Sequence, residues 1–214
     1  MQGVRAYLDE VATYYSSGAY YNEIVAARKE FAEKVGLLAE GVDTDFDRQA
    51  DTFLDWFLFD RKLSKQEIAP IKAYLYDNGP TLEDGKKEIF GRLSENVHSI
   101  FEVLKAKKTD VYLKDLLDGE KYVVEDVEVN QGFIKGDILE TRLVQLGDRM
   151  VFGIAFNFHP KEAESFIKKQ SKRLKNLDEP HRIVFMHQLL KMRNKVEQYS
   201  HIDIKHIYCE EPLL

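Results

Sequence analysis

Along roughly the first hundred residues apolar positions recur every three or four places, and along the next sixty they tend to alternate. The first period is that of a helix, the second that of a half-buried strand. Val4, Leu8, Val11 and Tyr15 outline a first helix, broken at Ser16-Ser17-Gly18. Ile24, Ala27, Phe31, Val35 and Leu38 outline a second, with Gly36 and Gly41 near its stop. A third holds the stretch FLDWFLFDR, Phe53 to Arg61. Phe46, Ala50, Phe53 and Phe57 form one stripe there, widened by Leu54, while Trp56, Leu58 and Phe59 cover the other faces. A helix apolar nearly all round is buried nearly all round, so this segment reads as a central core helix. Thr44 with Asp47 is its expected capping pair. Ser64 with Glu67 repeats that pattern, with Pro70 delaying or kinking the helix. Thr81 with Asp84 opens a helix carrying Leu82, Ile89, Phe90, Leu93 and Val97.

From Ser99 to Phe158 the segments SIFEVLKAKK, DVYLKDLL, EKYVVEDV, DILETRLVQL and RMVFGIAFNF are β-rich. Asp118-Gly119 and Gly147-Asp148 are the expected hairpin turns. Beyond Pro160 the helical period returns. Ala163, Phe166, Gln170, Leu174 and Leu177 share a face of one helix, and a longer helix follows from a cap at Asp178. The tail IDIKHIYCEEPLL has the look of an edge strand. The order helices, strands, helices predicts an α+β fold in a single compact domain spanning 1–214. Residues 1–98 would be mainly helical, 99–158 a five-stranded antiparallel meander or small barrel, and 159–214 two helices with a short tail.

Composition narrows the function classes. The 214 residues are 44% hydrophobic and 32% charged, as in a folded and well-solvated protein, and the net charge is −6. That balance argues against bulk affinity for nucleic acid or anionic membranes. The single cysteine, Cys209, excludes an internal disulfide and any multi-cysteine zinc site. No secretory signal opens the chain, and no apolar run approaches the roughly 20 residues of a membrane span. A cytoplasmic protein, with no membrane and no cofactor, is the expectation.

Asp47, Asp51 and Asp55 stand at i, i+4 and i+8 on the third helix. The first two suit a wet face. Asp55, between large apolar neighbours, is a buried-charge candidate that needs a cationic partner or a shifted pKa, and Asp115 is a second such candidate. A metal-ligand or acid–base role for Asp55 is the sharper alternative. The pattern Phe53-x-Asp55-Trp56-Phe57-x-Phe59-Asp60, followed by Val111-x-Leu113-x-Asp115-Leu116-Leu117-x-Gly119-Glu120 and Gly136-Asp137-x-Leu139-x-x-Arg142-Leu143-Val144, resembles a group of uncharacterised bacterial proteins over about residues 50–155. Some members of that group carry an added SEC-C zinc-binding motif. This chain lacks the cysteines for it, so no metal or translocation role follows.

Two surfaces stand out. With Gly147-Asp148 as turn, Leu143 would face Phe152, Thr141 Ile154 and Leu139 Phe156, making the core side of a hairpin. On the other side Arg142 would face Gly153 and Glu140 would face Ala155. That is either a shallow ligand depression rimmed by two charges or a cross-strand ion pair on a wet face. In a third reading Arg142 is the partner of Asp55. The second surface is basic: ten Lys/Arg against four Asp/Glu between Lys161 and Lys195, a local +6. Lys161, Lys168, Lys172 and Lys175 would line one arc opposite Phe166, a row suited to nucleic acid or an acidic protein.

Phe185, Leu189, Met192 and Val196 on one stripe, and Ile183, Met186 and Leu190 on another, make the last helix either a core layer or a homodimer contact. His201, His206 and Cys209 fit no established zinc spacing, and His181 and His187 share no helix face. No phosphate loop or catalytic signature is present. The sequence therefore points to a non-catalytic binding or scaffolding module for a protein or nucleic-acid partner. The alternative is a metal-dependent, hydrolase-like enzyme using Asp51, Asp55, Asp115 and Glu140.

Overall fold

The computed structural model describes residues 2–37, 45–125, 127, 132–175 and 178–209. Among the described residues eight α-helices and six strands follow the expected succession of helices, strands and helices, with RMVFGIAFNF divided into two strands and one more helical turn at the end: α1 Gln2–Tyr15, α2 Tyr21–Val35, α3 Phe46–Phe59, α4 Pro70–Asn78, α5 Asp84–Ser94, β1 Val97–Ala106, β2 Val111–Asp115, β3 Lys121–Val124, β4 Ile138–Leu146, β5 Arg149–Phe152, β6 Asn157–Phe158, α6 Glu164–Arg173, α7 Glu179–Gln198 and α8 Ile204–Ile207. The fold is α+β.

The sheet order is β1-β2-β3-β5-β4-β6, with β1 also pairing with β4, so five strands close into a small barrel and β6 adds to β4. A ring of five cannot alternate direction all the way round, so the barrel is mixed rather than wholly antiparallel. Nor is it a simple meander. The long connection from Val124 to Ile138 frees β4 from lying beside β3.

By contacts the chain divides into two compact units, Met1–Phe31 with Phe46–Val97 and Arg142–Ala155, and Ala32–Asp45 with His98–Thr141 and Phe156–Leu214. In the first, Val4, Leu8, Val11 and Tyr15 of α1 are buried at helical spacing. Aromatic rings fill the space around them: Tyr7 and Tyr74 against Phe90, and Tyr15 against Phe57. Asp55, Trp56, Phe57 and Leu58 of α3 are all buried, four consecutive positions and hence every side of the helix. The start of α3 differs from expectation. Phe46 is 77% exposed, and the inward positions of the first turns are Arg48 and Thr52. In the second unit Ile100, Leu117, Ile138, Ile167, Phe185 and Leu189 belong to one apolar cluster. Both stripes of α7 are inside it or buried, Phe185 and Leu189 on one, Met186 and Leu190 on the other.

Several local expectations needed correction. Ser64 and Glu67 cap no helix; they form a turn in which Glu67 has φ +56°, and α4 starts at Pro70 with Ala69 extended before it. Pro70 at the first helical position therefore sets the start. Thr81 donates to the Asn78 carbonyl at 2.9 Å, and Glu83 occupies the cap of α5. In the tail, Asp203 caps a helical turn, α8, instead of an edge strand. Asp178 does cap α7, accepting from the His181 amide. Leu38, Gly41, Thr44 and Leu177 lie outside the described residues.

Candidate functional site

The β4–β5 hairpin turns at Gly147, φ +57°, and Leu143 faces Phe152 as expected. Arg142 faces Gly153, whose amide donates to the Arg142 carbonyl at 2.8 Å. A Cβ on Gly153 would stand 3.1 Å from that of Arg142, so the glycine keeps this approach open. Beyond it the ladder breaks. β6 meets β4 with Leu139 opposite Phe158 and Glu140 opposite Asn157, two residues out of the hairpin's register. Glu140 therefore faces Asn157 and not Ala155. Every position from Ile138 to Val144 is buried, so the charged pair rims no depression and lies on no wet face.

Arg142 instead lies inside the first unit. Its Nε donates to Asp55 Oδ2 at 2.5 Å, Nη1 to Asn96 Oδ1 at 2.7 Å, and Nη2 to Asp60. The Phe59 ring covers the guanidinium, 4.7 Å from its central carbon. Burial opposes the charge, but Asp55 and Asp60 overcome that and hold Arg142 above its ordinary range. Four groups of FLDWFLFDR and its surroundings thus meet on one cation. Asp51, one turn earlier on α3, accepts from Arg5 at 2.6 Å.

In the second unit, Asp115 is 1% exposed at the end of β2. Its Oδ1 accepts from the amides of Leu117 at 2.7 Å and Asp118 at 3.3 Å, folding the turn into β3. Burial pushes this carboxyl above its ordinary range, with the Leu117 amide and Ser99 hydroxyl offsetting only part. Glu140 Oε1 lies 3.1 Å from His98 Nε2. Asp51, Asp55, Asp115 and Glu140 are therefore each engaged by a different partner. Among the described residues no group of three or more His, Cys, Asp or Glu could hold a metal ion. Cys209 is exposed and donates to the His206 carbonyl at 2.9 Å.

The lysine row is half neutralised. Lys161 pairs with Glu164 at 3.0 Å, and Lys168 bridges Glu102 and Glu164, both at 2.8 Å. Lys172 and Lys175 are exposed.

A different basic group is better built. Lys105, Lys107 and Lys108 are all exposed at the end of β1 and the turn into β2. The turn is closed by the Lys107 amide on the Asp110 carbonyl at 2.8 Å. Lys105 and Lys107 place their ammonium groups 5.9 and 5.7 Å from the centre of the same Tyr112 ring. Lys107's charge, ahead of the small effect of burial, depresses Lys105. None of the three makes an ion pair among the described residues. Beside them is a pocket of about 370 Å³ lined by Lys107, Lys108, Ala106, Val111, Val127 and Phe133. By its sequence alone Lys105-Ala106-Lys107-Lys108 is the end of a strand. Three lysines in four positions directly before a turn, with a tyrosine four places on, was the signal.

No helix among the described residues is long and apolar enough to cross a membrane. Neither the curated proteins nor the solved structures contain a match to the chain. A family model described as "Family of unknown function (DUF7986)" matches residues 20–200, from just after α1 to just before α8, and the chain therefore belongs to that family.

Proposed function

We propose that this protein is a non-catalytic binding module whose lysine turn, Lys105, Lys107 and Lys108, holds an anionic partner. The observation that carries the proposal is that Lys105, Lys107 and Lys108 are all exposed and make no ion pair among the described residues. Two like charges share one ring, and a ligand bearing carboxylate or phosphate groups would relieve their repulsion. Opposed to this, the carboxylates of the enzyme alternative are committed to Arg5, Arg142, a backbone turn and His98. Lys172 and Lys175 remain available as a secondary contact. The single cysteine suits a reducing compartment, in keeping with a cytoplasmic location.

Fluorescence anisotropy with labelled poly-L-glutamate and a labelled single-stranded oligonucleotide, across a salt series, tests this. At least one probe is expected to bind at low salt and to weaken steeply as salt rises. The Lys105→Glu/Lys107→Glu/Lys108→Glu variant, matched for thermal unfolding, is expected to lose that binding. Absence of binding by either probe, or unchanged binding by the variant, overturns the proposal.

A further inference from the structure

Resting on that reading, we infer that the partner is an acidic peptide segment carrying a bulky apolar side chain, which enters the pocket beneath the lysines. The pocket's chemistry is divided. Its rim is cationic, at Lys107 and Lys108 with exposed Ala106 between the lysines, and its floor is apolar, formed by Val111, Val127 and half-buried Phe133. Val111 and Val127 are buried at 3% and 9% exposure, so the floor is continuous with the hydrophobic interior and is not a set of loose surface methyls. At about 370 Å³ the volume falls within the roughly 300–1,000 Å³ of small-ligand sites. Phosphates alone would use the rim and leave the floor wet. An acidic segment with a leucine or phenylalanine uses both at once: carboxylates at the rim, a side chain against the floor.

Nucleic acid fits less well for a second reason. Binding of single strands draws on aromatic faces for base stacking. The Tyr112 ring already has two lysine ammonium groups within 6 Å. The lysines also gather several ammonium groups at one turn, two of them over the Tyr112 ring, a density of charge that suits a segment with several carboxylates.

The test compares three probes on the full chain: a short peptide of glutamates around one leucine, the same peptide with alanine for leucine, and a single-stranded oligonucleotide of equal charge. The leucine peptide is expected to bind about tenfold or more tighter than the alanine peptide, the yield of burying one such side chain. Ala106→Trp, which sets a bulky ring in the pocket, should abolish that preference. Equal binding of the two peptides overturns the apolar anchor but leaves the lysine turn as an anion site. Preference for the oligonucleotide also overturns it, in favour of a phosphate backbone. Failure of all three to bind removes the lysine turn as well.

Discussion

Arg142 and Asp55 lie 87 positions apart in sequence and meet at 2.5 Å, with side chains 3% and 5% exposed. Asp60 and Asn96 complete the fork, and Phe59 closes the guanidinium's face. The aromatic-and-acid stretch is thus an internal cradle for one cation from β4. A buried ion pair contributes little net stability against an apolar replacement of both partners, because desolvation offsets attraction. Here it joins α3 to β4, with two carboxylates and an amide oxygen gathered on one guanidinium.

Removing the cation alone should therefore be severe. Arg142→Met is expected to cost about 3–5 kcal/mol by leaving Asp55 and Asp60 buried without it. Arg142→Lys should recover little, since an ammonium cannot reproduce the fork. Urea denaturation midpoints measure both; a loss below about 1 kcal/mol for the methionine variant would show that the cradle is wet and not a sealed interior.

Asp115 predicts an unusual slope. Its folded-state pKa is raised, so the folded chain binds the proton more tightly than the unfolded one. Its contribution to stability is fully present below the ordinary aspartate value of 3.8 and declines as pH rises through the raised value. Asp115→Asn keeps a side-chain oxygen for the Leu117 and Asp118 amides and removes the buried charge. The variant is expected to equal or exceed the parent in stability at pH 7, and to lose that relative advantage near pH 3. Thermal unfolding at the two pH values checks this; a pH-independent difference would assign Asp115 no titration in the range.

Glu23 has the opposite sign. Burial favours its protonated form, but Arg61 at 2.5 Å and the Ser64 amide and hydroxyl at 3.0 and 2.9 Å hold its pKa below 4.5. That stabilisation is present above pH 4.5 and fades as pH falls through the lowered value. These bonds pin the turn that contains Glu67 at φ +56°. Glu23→Ala is expected to cost roughly 1–3 kcal/mol at pH 7, the range for hydrogen bonds to a half-buried charged group, and less at acid pH. A variant as stable as the parent at pH 7 would mean that the turn holds itself.

Much of this architecture was legible. Val4, Leu8, Val11 and Tyr15 are on one face because helices bury every third or fourth residue, and Gly147-Asp148 set the Leu143–Phe152 pairing. The hairpin's second half was not legible. Alternation of Leu139, Thr141 and Leu143 with Glu140 and Arg142 normally marks one dry and one wet face. Here β4 is buried on both faces, so the charges are inside and require internal partners. The register slip past Gly153 had no marker beyond the glycine itself. Strand order was hidden too, since the length of the β3–β4 connection allows either neighbour. The lysine turn was not legible, because Lys105-Ala106-Lys107-Lys108 reads as a plain strand end and only the fold sets Lys105 and Lys107 over Tyr112.

The most direct measurement is amide hydrogen exchange of the full chain with and without saturating leucine-containing acidic peptide. Slowed exchange confined to residues 105–112 and the pocket floor around Val127 and Phe133 is the expected result. Protection centred on Lys161–Lys175, or none anywhere, would contradict recognition at the β1–β2 turn.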